Sequence, residues 1–240
     1  MPEPASSATP IALVTGAGSG IGRAAAKRLG DGGTRVILVG RRHEPLAETA
    51  AIIHGPSAIM TADIGDANQA EALAERVASE FGRLDILVNN AGYAPLIPFH
   101  KTTVEAFEAC FRANAIGPAL LIARCWSMFA AQRSACIVNV STVGTRDPFP
   151  GFAAYAASKA ALNSLTRSCM NEGRDIGLRA FTVAPGAVET PMLRGLFDAD
   201  TIPSSACIDP DDVASVIADC AEGRRDDAIG EIIWVEKPPA

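Results

Sequence analysis

Two side chains at helical spacing, Tyr155 and Lys159, form a pair able to move a proton. Residues four apart on a helix lie on one face within reach of each other. A phenol at its ordinary pKa of ~10 is a poor base at neutral pH, and a neighbouring ammonium favours the phenolate and lowers that value. Y-x-x-x-K alone is common on helix surfaces, so its meaning depends on the rest of the chain. Far upstream, Thr15-Gly16-Ala17-Gly18-Ser19-Gly20-Ile21-Gly22 joins an apolar run to a helical pattern opening near Arg23. A glycine-rich turn between strand and helix lets backbone N–H groups approach a pyrophosphate at the positive helix end. His43, His54 and His100 fall at no metal-ligand spacing and the six cysteines form no C-x-x-C pair, so no metal site is expected.

The elements that must position these groups follow from the apolar pattern. Short buried-strand runs occur at 11–14, 36–39, 86–88, 136–140, 180–184 and 231–235. Between them lie alanine-rich stretches of period near 3.6, such as 67–81 and 155–170, which read as helices. Strand alternating with helix through the whole length predicts an α/β, single-domain, doubly wound (Rossmann-type) parallel sheet of about seven strands with helices on both faces. The catalytic domain is expected over 10–240, after a flexible tail at 1–9 rich in Pro, Ser and Ala. The least regular region, 191–208, suits a substrate lid.

Composition narrows the function. The chain has 240 residues, 48% hydrophobic and 20% charged, enough apolar material for one core. A net charge of -6 offers no basic face for nucleic acid or an anionic membrane, so the expected partner is a small molecule. No apolar run approaches the ~18 residues of a membrane span, and no signal-peptide pattern opens the chain. Unpaired cysteines in apolar segments suit a reducing cytoplasm.

The glycine spacing, T-G-x-x-x-G-I-G, resembles the cofactor loop of the short-chain dehydrogenase/reductase family. Further landmarks follow in order: Asp63-Ile64 in T-A-D-I, Asn89-Asn90-Ala91-Gly92, Asn114 in N-A-I-G, the Tyr155/Lys159 pair, and Pro185-Gly186 with Val188 and Thr190. The resemblance implies an oxidoreductase that interconverts a ketone or aldehyde and an alcohol with a nicotinamide cofactor, Tyr155 acting as general acid/base. It also implies that Lys159 contacts the nicotinamide ribose, that Asn114 completes a proton relay through water, and that Asp63 contacts the adenine. Gly16, Ser19, Gly20, Ile21, Gly22, Ile64, Asn90, Ala91, Gly92, Pro185, Gly186, Val188 and Thr190 would line the rest of the cofactor site, together with Tyr155 and Lys159. Family relatives pair through helices that here span about 104–132 and 154–174, which implies a homodimer or homotetramer.

Two positions depart from simple expectation. An acid at the end of the second strand would select NAD(H), whereas this chain has Val39-Gly40-Arg41-Arg42. Two guanidiniums could hold a 2′-phosphate, so NADP(H) is favoured over NAD(H). The family places a serine thirteen residues before the tyrosine, and counting back from Tyr155 reaches Thr142. Thr142 keeps the hydroxyl donor, and alternation along a strand should aim it, rather than Ser141, into the cleft. Tyr93, Leu96, Val143, Phe149, Met192, Leu193 and Phe197 are expected to wall the substrate cavity. Arg146 and Arg194 are the cations that could reach a substrate carboxylate; an uncharged ketone or secondary alcohol is favoured. The alternatives are an NAD-dependent alcohol dehydrogenase of the same fold and a catalytically silent nucleotide-binding regulator.

Overall fold

The computed structural model describes residues 9–237. The tail expected over 1–9 therefore lies outside the described residues except for Thr9. In chain order the elements are β1 (Ile11–Thr15), α1 (Gly20–Asp31), β2 (Arg35–Gly40), α2 (His43–Ala51), β3 (Ser57–Thr61), α3 (Ala67–Phe81), β4 (Ile86–Asn89), α4 (Val104–Phe111), α5 (Gly117–Gln132), β5 (Ala135–Val140), α6 (Ala153–Gly173), β6 (Leu178–Pro185), α7 (Pro191–Arg194), α8 (Pro210–Ala221) and β7 (Ile232–Val235). All strands are parallel, in the order β3-β2-β1-β4-β5-β6-β7. The order reverses between β1 and β4, and the crevice beyond the carboxyl ends of those strands is where an open α/β sheet accepts ligands.

The six runs read as strands are present. The seventh, β3, lacks a continuous buried run: of S-A-I-M-T only Met60 is fully buried, because this strand is the sheet edge. Alternate residues of each central strand enter two cores. Val14, Leu38, Val138 and Val183 pack with α1 and α8 on one face, while Leu13, Ile37, Leu87 and Ile137 pack with α3 and α5 on the other. Continuous burial of β1, β4 and β5 is the reason their sequences read as unbroken apolar runs.

α4 and α5 form one rod, joined by a five-residue π segment, Arg112–Ile116, that bonds Gly117 N–H to the Arg112 carbonyl. By length and composition the helix Val104–Gln132 is apolar enough to cross a bilayer, contrary to the sequence expectation, with a mean hydropathy of 1.2 over its most apolar window. Its apolarity has another physical use here: Leu121, Ile122, Cys125, Met128 and Phe129 fill the core beside β4 and β5. Val104 and Ile116 remain on the outside, as does Phe99 just before the rod.

The region 191–208 is more ordered than its composition suggests. A parallel bridge between Val188 and Ile208 closes its base. From within the loop, Arg194 Nε bonds Glu189, just ahead of it, at 2.6 Å, and its two terminal nitrogens reach the Asp198 and Ile202 carbonyls and Ser204 Oγ. The C-terminal segment also touches it, Lys237 Nζ bonding the Cys207 carbonyl at 2.9 Å.

Candidate active site

One cleft of about 1100 Å³ opens at the carboxyl edge of the sheet and reaches from the glycine loop to α7. Its floor begins where β1 ends. Thr15 Oγ1 accepts the Asn90 and Ala91 N–H groups, and Asn90 Nδ2 bonds the Thr15 carbonyl at 2.9 Å. This ties the glycine loop to the end of β4. Gly16 has φ +68, and a side chain there would lie 2.7 Å from Asn90 Nδ2. At Gly20, with φ +50, a Cβ would lie 2.8 Å from Thr190 on the opposite wall. Glycine is thus required by both conformation and space. Ser19 caps α1 from extended backbone, and its side chain does not cap the helix, so the first N–H groups of α1 face the cleft together with Ile21. Gly22, buried inside the first turn, does not line the cleft; it lets α1 pack against the loop.

At the far end of this channel Gly40, Arg41 and Arg42 form the rim. Both arginines are exposed, and neither bonds a carboxylate among the described residues. Asp63 and Ile64 follow β3, and Asp63 Oδ1 is occupied by the Gly65 N–H at 2.9 Å. On the other wall, Gly186 N–H bonds the Val235 carbonyl, and Thr190 Oγ1 bonds the Val188 carbonyl while capping α7. Pro185, Val188 and Thr190 line the same cleft. A glycine-walled, anion-ready channel of this shape fits a dinucleotide, its phosphates on the α1 terminus.

Tyr155 and Lys159 stand on the first turns of α6 and line the centre of the cleft. Lys159 is 3% exposed and its Nζ donates to the Val140 carbonyl at 2.7 Å. Burial brings its pKa down to about 8. Burial pushes the Tyr155 phenol up to about 12, partly offset by a hydrogen bond with the Thr142 side chain. The Tyr155 shift runs opposite to the sequence expectation of a phenol lowered by its neighbouring ammonium, because burial penalises the charged form. Thr142 also accepts the Gly144 N–H at 3.2 Å. Ser141 is 3% exposed, and its Oγ has no hydrogen-bond partner. Both residues line the cleft, and of the two side chains it is Thr142 that acts to lower the Tyr155 phenol.

Asn114 is fully buried in the π segment, and both ends of its amide are bonded. Oδ1 accepts the Tyr93 N–H at 2.8 Å, while Nδ2 donates to the Tyr93 carbonyl and to Ser158 Oγ, each at 2.9 Å. Ser158 Oγ in turn bonds the Tyr155 carbonyl at 2.7 Å. A Cβ at Gly92 would stand 3.0 Å from Asn114 Oδ1 and 3.5 Å from Lys159 Nζ, so both groups converge on one spot. Ser158 was not among the residues singled out in the sequence. Its signal is its place three residues after Tyr155, on the same helix face.

Tyr93, Leu96, Phe149, Met192, Leu193 and Phe197 line the remaining part of the cleft, as expected. Val143 does not: it is 9% exposed and packs inward where the chain turns after β5, and Gly144 takes the place at the wall. Phe152, Leu196 and Ile202 are lining residues that the sequence reading missed. Arg146 and Arg194 are absent from the lining. The first pairs with Glu236 and lies 4.6 Å over the Trp234 ring; the second is held inside the 191–208 loop. No group of three or more His, Cys, Asp or Glu residues able to hold a metal occurs among the described residues.

Comparison with known proteins decides the family. The short chain dehydrogenase model matches residues 10–201. This chain belongs to that family. The short-chain dehydrogenase is 34% identical over 236 residues to the cis-4-hydroxycyclohexanecarboxylate dehydrogenase of Sinomonas cyclohexanicum, covering 94% of each chain. A solved short chain dehydrogenase/reductase family protein superposes with a TM-score of 0.86 at 33% identity, over 94% of this chain and 95% of that one. Levodione reductase superposes with a TM-score of 0.88 at 26% identity, over 95% and 96%. The enzyme is accordingly an oxidoreductase of the CH–OH/carbonyl couple that uses NAD(P).

Proposed function

We propose that this dehydrogenase is an NADP(H)-dependent ketone reductase, or alcohol dehydrogenase in reverse, with Tyr155 as its general acid/base. The observation that carries this reading is the convergence of the Tyr155 phenol, the Thr142 hydroxyl and the Lys159 ammonium in a cleft whose other end is a glycine-walled dinucleotide channel. A bound nicotinamide supplies or accepts the hydride. Tyr155, protonated at neutral pH, donates its proton to the substrate oxygen. Thr142 donates a second hydrogen bond to the same oxygen, stabilising charge as it develops. Lys159 would hold the ribose of a bound cofactor, and its ammonium would balance the phenolate left on Tyr155. Asn114 holds Tyr93 and α6 in register and opens a route for proton return through water. Residues Gly16, Ser19, Gly20, Ile21, Asp63, Ile64, Asn90, Ala91, Gly92, Pro185, Gly186, Val188 and Thr190 form the cofactor's binding wall.

The unpaired Arg41 and Arg42 support NADP(H), since no acid stands between the end of β2 and α2 to repel a 2′-phosphate. The loop 191–208 serves as the lid. Exposed Val104 and Ile116, with Phe107 and Phe111 stacked at 6.5 Å, make α4–α5 the face for a homodimer or homotetramer. Six buried cysteines, none in a disulfide, fit a reducing cytoplasm.

The test combines two substitutions. Tyr155→Phe should lower kcat by ~100-fold or more and leave cofactor binding largely intact. Charge-assisted bonds contribute about 1.5–3 kcal/mol, so the preference for NADPH should be roughly ten- to a hundredfold in kcat/KM and mostly lost in Arg41→Ala. Equal kcat/KM for the two cofactors in unmutated enzyme would overturn the NADP(H) assignment.

A further inference from the structure

Apart from Lys159 beside Tyr155, the substrate end of the cleft has no unpaired cation among the described residues. Of the cleft's cations, Arg41 and Arg42 stand at its opposite end, Arg112 is paired with Glu108, and Lys159 is bonded beside Tyr155. The two arginines nearest by sequence, Arg146 and Arg194, are committed to Glu236 and Glu189, and Arg194 also fills the carbonyls of its own loop. Releasing either would unpair a carboxylate, and for Arg194 would dismantle the lid's internal bonds. Among the described residues, no acidic side chain lines this end that could hold an amine.

What does line it is aromatic. Phe152 sits edge-on to Tyr155 with ring centroids 5.8 Å apart, and Phe197 of the lid lies 6.1 Å beyond Phe152. Phe149 stands beside this row, 55% exposed, and Met192 and Leu96 close the other sides, 47% and 41% exposed. Large apolar side chains left this open inside a cleft mark surface that an apolar ligand covers. The row begins at the proton donor itself, so a ligand whose carbonyl reaches Tyr155 must lay its body along the rings.

We propose that the substrate is an uncharged, ring-bearing apolar ketone, or the corresponding secondary alcohol, stacked along Phe152 and Phe197, and that the cavity rejects a carboxylate on that ring. This rests on the function proposed above, and it fixes the class of substrate for the site. The selectivity is one of desolvation: an anionic group on the ring, remote from Lys159, would leave water and meet no unpaired cation among the described residues, whereas its neutral ester would not suffer this loss.

The probes are methyl 4-acetylbenzoate and 4-acetylbenzoate, a matched aryl ketone pair that differs in charge at pH 7. Binding is measured calorimetrically to unmutated enzyme saturated with oxidised cofactor, where the ketone cannot react. The ester should bind about 100-fold more tightly than the acid, and Phe197→Ala should weaken the ester about tenfold while leaving the acid unchanged. Equal or tighter binding of the acid overturns the proposal, as does failure of both to bind. Tight binding of the ester by an enzyme that consumes no NADPH or NADH with any ketone upholds this class and overturns the proposed reductase activity instead.

Discussion

At the scale of single residues, Thr142 and Ser141 differ in what their hydroxyls meet. The Thr142 side chain acts on the Tyr155 phenol, whereas Ser141 Oγ is buried without a hydrogen-bond partner among the described residues. Thr142→Val keeps the shape and removes the donor, and should lower kcat by ~100- to 1,000-fold, whereas Thr142→Ser should stay active and Ser141→Ala should be mild. Steady-state kinetics of the three variants check this; a severe loss confined to Ser141→Ala would reverse the roles. Lys159 shows the conflict between stability and chemistry. Its pKa falls from the ordinary 10.5 to about 8 on burial, so at neutral pH folding must bury a charge. Lys159→Met should therefore stabilise the fold at pH 7 by about 1–2 kcal/mol, net of the lost bond to Val140, while abolishing turnover. The unfolded chain binds more protons than the folded one between pH 8 and 10.5. Wild-type stability thus rises across that window, and the advantage of the variant should shrink as pH rises through it. Denaturant titrations at several pH values give the answer. The thirteen-residue count to Thr142 was legible in the sequence; the direction of the Tyr155 shift was not, because depth of burial belongs to the fold.

At the scale of elements, the π segment Arg112–Ile116 carries Asn114 inward in an otherwise α-helical rod. A π segment contains one residue more than the helix needs, and such insertions are frequent at functional sites. Deleting Ala113 should let α4 and α5 join as one regular helix, with thermal stability unchanged or raised. The Asn114 amide would then leave Tyr93 and Ser158, and kcat should fall by ~100-fold, the lower range of a general acid–base contribution. A large loss of stability with activity retained would refute this account. R-A-N-A-I announces no such irregularity, since hydrogen-bond register has no residue code. The helix 67–81, by contrast, appears with the same bounds because period, the Asp66 cap and Gly82 in the left-handed conformation all agree. β3 escaped notice since an edge strand needs no continuous apolar run. Val143 was misplaced at the cavity wall because the chain turns immediately after β5, where strand alternation ceases to apply.

At the scale of the whole molecule, the sheet holds two remote ends of the chain against one another. The glycine loop after β1 and the turn of α6 that carries Tyr155 and Lys159 are far apart in the sequence, yet both line the one cleft at the carboxyl edge of the sheet. That convergence was readable from strand and helix alternation, whereas the closure of the substrate end was not. Beyond β7, Glu236 pairs with Arg146, on the turn that carries Thr142, and Lys237 bonds two carbonyls of the 191–208 loop. The end of the last strand thus clasps both walls of the substrate cavity. This has a practical consequence for handling the enzyme: a purification tag or surface attachment joined just after Lys237 will pull on the clasp, whereas one placed ahead of β1 will not. A preparation immobilised through its C-terminal side should show a KM for ketone raised by several fold, as expected for losing a bond of about 1 kcal/mol, with its Kd for cofactor unchanged. Attachment through the opposite end should leave both constants as they are in free solution.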